Sequence, residues 1–73
     1  MNLEKINFYS EIMVSKQYPG GIKGKLGVVL GISEENNMLF GYSILLHGDE
    51  NTIYLDKQYA IPTGRKFTRE DFY

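Results

Sequence analysis

An all-β fold, rolled up as one small and partly open barrel of five strands, is predicted by three features of this 73-residue chain. Two runs from Gly24 to Leu46 alternate apolar and polar residues with a period of two, which fits strands and not helices. Turn residues punctuate the chain at short intervals: Pro19-Gly20-Gly21, the link Glu34 to Met38, His47 to Asn51 and Pro62-Thr63-Gly64. Glycines also sit among β-formers at 24, 27 and 31, where they mark bends or bulges of the kind a small barrel requires.

Taken in order, Ile6 to Val14 reads as the first strand, with Ile6, Phe8, Ile12 and Val14 on one side. Asn7, Tyr9, Glu11 and Met13 fall on the other side, and Ser10 is a polar lapse near a strand edge. Ser15 to Lys23 is a loop carrying Tyr18 at its bend; Pro19 lacks the N–H a ladder needs. The central hairpin follows. Its first run puts Leu26, Val28, Leu30 and Ile32 on one face; its second puts Phe40, Tyr42, Ile44 and Leu46 there. Glu34 to Met38 links them, with carboxylates and asparagines that accept turn geometry. Thr52 to Leu55 makes a short fourth strand with Ile53 and Leu55 inward and Tyr54 outward. After a turn at Pro62-Gly64, Arg65 to Phe67 forms a brief fifth strand closing against the first. Thr68 followed by Glu70 and Asp71 predicts an N-capped helical turn before Phe72 and Tyr73.

Five short strands in so little chain form an SH3-like, partly open barrel most economically. An oligonucleotide-binding barrel needs more chain and a helix, and a flat meander would leave long apolar edges exposed. One such domain occupies residues 1–73. With no cysteine, disulfides and thiolate metal sites are absent, and the composition agrees with a cytoplasmic location. The N-terminal residues do not resemble a signal peptide, and no apolar run approaches the ~20 residues of a membrane span.

The net charge of −1 is unevenly spread. Residues 1–33 carry two acids and four bases, whereas residues 34–73 carry seven acids and four bases. A nucleic-acid binder usually has the opposite bias, a basic field facing phosphate. Lys23 to Ile32 nevertheless resembles a KOW motif, which would give Lys23, Lys25 and Gly27 to nucleic acid with Tyr18 stacking on a base. Catalysis finds little support. The single histidine, His47, stands beside Gly48 and Asp49 in a turn, where a histidine is ordinarily solvated. One histidine does not make a zinc site, Asp49-Glu50-Asn51 lacks calcium-loop spacing, and adjacent Glu34 and Glu35 point apart on a strand. No enzyme activity, metal or cofactor is therefore expected.

Three stretches, Gly27-Val-Val-Leu-Gly-Ile-Ser-Glu34, Gly41-Tyr-Ser-Ile44 and Ile61-Pro-Thr-Gly64 running on to Glu70-Asp-Phe-Tyr73, resemble in order and spacing the immunity protein 31 family of bacterial polymorphic toxin systems. The resemblance implies a small all-β, non-enzymatic inhibitor that acts in the cytoplasm and binds a cognate protein toxin; separately, the edge strands of a partly open barrel can pair between copies, which leaves monomer and homodimer both open. It supplies no binding residues. Charge does: Glu34, Glu35, Asp49, Glu50 and Asp56, with Tyr54 among them, form the expected partner-binding set against a basic surface. A KOW-like barrel binding nucleic acid or a ribonucleoprotein is the alternative.

Overall fold

Alternation of apolar residues over Leu26–Leu46 builds the longest feature of the computed structural model, which describes residues 5–71 (of Arg69 the backbone alone). β2 (Leu26–Glu35) and β3 (Met38–Leu46) pair antiparallel around a two-residue turn. Asn36 and Asn37 take φ of 51° and 65°, the type I′ geometry that matches strand twist and that asparagine tolerates. β1 (Ser10–Val14) lies on the other side of β2, and β4 (Ile53–Asp56) on the other side of β3. A 3-10 turn, Lys57–Tyr59, leads into β5 (Ala60–Lys66), which pairs with β1. The antiparallel sheet runs β4-β3-β2-β1-β5 and is not closed, the arrangement of a small, partly open SH3-like barrel. A second 3-10 turn, Arg69–Asp71, starts at Thr68, whose N–H and hydroxyl both donate to the Asp71 carboxylate, at 2.7 and 3.1 Å. That is the expected C-terminal turn; Phe72 and Tyr73 lie outside the described residues, as do Met1 to Glu4.

The concave side holds the core: Ile12, Val14, Val29, Tyr42, Ile44, Leu46 and Leu55. Tyr42 is the largest of these, and its buried hydroxyl accepts the Ile6 N–H at 2.9 Å, pinning the segment before β1 across the barrel. Tyr42→Phe keeps the ring but orphans that N–H, so it should cost about 1 kcal/mol, read as a lower urea midpoint with unchanged slope.

Three expectations need correcting. β1 begins at Ser10, not Ile6, because Tyr9 adopts φ 65° and breaks the extended run. Ile6 still packs on the core, while Phe8 is exposed. In β2 the apolar face switches. The core takes Val29 and then Ile32, because an extra residue enters between Val29 and Gly31. Val28 is buried on the opposite face, beside Glu11 and Leu45 in register. Finally, Pro62-Thr63-Gly64 is not a turn but the middle of β5, which is therefore longer than Arg65–Phe67. An edge strand accommodates Pro62, and Gly64 at φ 94° sits in a bulge where Ser10 pairs with Lys66 and Ile12 already with Pro62.

Candidate interaction surface and a buried carboxylate

β4 alternates inward Leu55 and half-buried Ile53 with outward Tyr54 and Asp56. In register, Tyr54 stands opposite Ser43 and Asp56 opposite Gly41. The Tyr54 ring lies across Gly41, its hydroxyl oxygen 2.6 Å from where a Cβ on that residue would stand, yet Tyr54 remains 54% exposed. Phe40, the extra residue of β3 at its bulge, and Met38 at the start of β3 are also exposed large apolar side chains. Acids surround this end of the sheet. Glu35 pairs with Met38 in register, Glu34 forms a 3.2 Å ion pair with Lys5, and Asp56 accepts the Gln58 N–H at 3.2 Å.

Glu34, Glu35, Tyr54 and Asp56 thus share one end of the sheet. Asp49 and Glu50 do not join Glu34 and Glu35: they follow Leu46 in the β3–β4 loop, at the opposite end of β3 and roughly 25 Å along that strand from Glu35, with Tyr54 and Asp56 a few residues further on in β4. The acids form two poles. Sequence proximity could not show this, since the division depends on which way β3 runs between its two loops.

A second cluster was not visible as a unit in the sequence. Glu11 lies in β1 on the face away from the core, opposite Val28, and is only 2% exposed. Its Oε2 is 2.8 Å from His47 Nε2 and 3.6 Å from Arg65 Nη1, and its Oε1 accepts the Thr63 hydroxyl at 2.8 Å. Arg65 also sits over the Phe67 ring at 5.2 Å, and the His47 ring meets Phe67 edge-on at 5.7 Å. The β5 bulge brings this about: two extra residues around Gly64 swing Thr63 and Arg65 toward β1. Hydrogen bonds from His47 and Thr63, helped by the Arg65 charge, hold the Glu11 carboxyl below the usual carboxylate range despite its burial. His47 is the exposed turn residue expected, but it does not face water alone: it reaches across β2 to a carboxylate on β1. Beside it is a shallow depression of about 320 Å³, lined by Lys25, Leu26, Leu46, His47 and Asp49.

Chemically, Glu11 orients His47 as the acid of a catalytic dyad would. The nearby hydroxyl does not complete a triad, because Thr63 donates to Glu11 and not to the imidazole. The cluster ties three segments together. The signal that could have found it was Glu11 itself, a charge flanked by two buried β1 positions, but its partners are 36 and 52 residues away.

Of the KOW-like set, Lys23 and Lys25 are exposed. Tyr18 is half-buried against the core, with its ring at right angles to Tyr59, 5.2 Å between centroids. Compared with models of protein families, with curated proteins and with solved structures, the chain matches none. Among the described residues no three His, Cys, Asp or Glu side chains gather as a metal site would require. No helix there is long and apolar enough to cross a membrane.

Proposed function

We propose that this chain is a binding module that captures and neutralises a partner protein, a cognate bacterial toxin of the kind its immunity-family resemblance implies, without enzymatic chemistry. One observation carries the reading: an exposed aromatic side chain, Tyr54, is seated on Gly41 at the end of the sheet where Phe40 and Met38 are also exposed and Glu34, Glu35 and Asp56 supply negative charge. Rigid aromatic area within a polar rim is what protein interfaces use, and anchoring tyrosines are frequent hot spots. The acids suit a basic surface, such as a toxin acting on nucleic acid presents, and would steer association. A cytoplasmic site of action follows from neutralising the toxin in the cell that makes it.

Tyr54→Ala should weaken binding to the toxin encoded beside this gene by about 2 kcal/mol, roughly 30-fold, and abolish rescue of cells expressing that toxin. Binding within twofold of the parent would remove Tyr54 from the interface. Generic DNA and RNA should show no gel shift at low or moderate salt; a clear, salt-sensitive shift would favour the nucleic-acid alternative instead.

A further inference from the structure

We propose that Glu11 is a positioning residue: through His47 it latches the β3–β4 loop, with Asp49 and Glu50 on it, to the β5 bulge, and so sets where the second acidic pole stands. The loop leaves β3 with two backbone bonds, His47 N–H to the Leu26 carbonyl at 3.1 Å and Asp49 N–H to the Leu46 carbonyl at 3.0 Å. Beyond them it runs to a β4 of only four residues. The His47 side chain adds an anchor of another kind, spanning β2 to the buried Glu11 carboxylate at 2.8 Å. Glu11 is held from the other side by Thr63 Oγ1, and Thr63 Oγ1 in turn accepts the Arg65 N–H at 3.3 Å, so the carboxylate links loop and bulge directly.

Burial makes this arrangement specific. A carboxylate on an outer sheet face could turn to water, but Glu11 is covered and has its two oxygens committed to different segments. The groups facing it are His47 from the loop, Thr63 and Arg65 from β5, and apolar Val28 from β2; Lys25 and Asp49 flank His47 at the neighbouring depression. His47 and Asp49 both line that depression, so releasing the latch would also move its wall. That this pole contributes to partner capture rests on the function proposed above; the latch does not.

The test needs no partner. Backbone 15N relaxation would be measured on the whole chain as parent, His47→Ala, His47→Gln and Glu11→Gln. In the parent, Gly48 to Asn51 should have order parameters near those of rigid backbone, about 0.85. His47→Ala should lower them below about 0.6 while Ile44 and Leu55 stay unchanged, and His47→Gln, which keeps a donor, should recover most of the difference. The parent should show the same loosening on acidification as Glu11 takes up a proton, with no such step in Glu11→Gln. A loop already mobile in the parent, a loop unaffected by His47→Ala, or a drop shared equally by the core would each overturn the latch. None of these outcomes touches the Tyr54 surface, whose own test is partner binding.

Discussion

Gly41→Val is expected to be among the most damaging single changes available in this chain, costing about 3 kcal/mol or more in a urea titration. A Cβ at residue 41 would run into the Leu55 carbonyl oxygen, which is backbone, and would meet the Tyr54 hydroxyl at 2.6 Å and its Cζ at 2.7 Å. Backbone atoms of a paired strand cannot step aside, so the β3–β4 pairing must open or Tyr54 must leave its seat. A domain of this length has about 4–11 kcal/mol to lose, so the variant would populate unfolded molecules measurably at 25 °C. Gly41→Ala should cost less but in the same direction. A valine variant as stable as the parent would show that Tyr54 does not lie where it is described, and would take the interaction surface with it.

Glu11→Ala should cost about 3 kcal/mol near neutral pH, through loss of two hydrogen bonds to a buried carboxylate. The Arg65 charge, 3.6 Å away, adds less than that distance suggests, since Arg65 is 68% exposed and water screens it. The sign of the pH dependence follows from the direction of the Glu11 shift. Its carboxyl is more acidic folded than unfolded, so the unfolded chain binds the proton first. The stabilisation is complete above the ordinary glutamate value of about 4.3 and is lost as pH falls through the lower, folded value. Urea midpoints of parent and Glu11→Ala should therefore be widest apart near pH 7 and approach each other toward pH 3. Parallel curves across that range would mean that Glu11 carries no charge-dependent stabilisation.

Much of the barrel is legible before any coordinates. Alternation marks most of β3: Tyr42, Ile44 and Leu46 fall together and all enter the core, but Phe40, on the same side by period, is put out at the bulge and Leu39 packs inward instead. β4 is readable for the same reason. β2 is only half readable: its even residues look like the buried face, yet the bulge before Gly31 hands the core to Val29 on one side and Ile32 on the other. β5 is hidden, because Pro62 and Gly64 are turn residues by local chemistry and only pairing to β1 at the sheet edge makes them strand. The Tyr54 surface was visible as an outward aromatic near acids. Its seat on Gly41 was not, because cross-strand register is a property of two segments.

Readable in the chain alone are an all-β fold, a hairpin linked through Glu34 to Met38, an inward Ile53 and Leu55, a C-terminal helical turn and an acidic bias after residue 33. Those features follow from period, turn chemistry and charge, each local to a few residues. Tertiary structure alone decided the separation of the acids into two poles, the face switch in β2, and the meeting of Glu11 with His47, Thr63 and Arg65. The physical reason is common to all three: bulges and antiparallel register bring distant residues to one place, and one inserted residue changes which side of a sheet a side chain occupies.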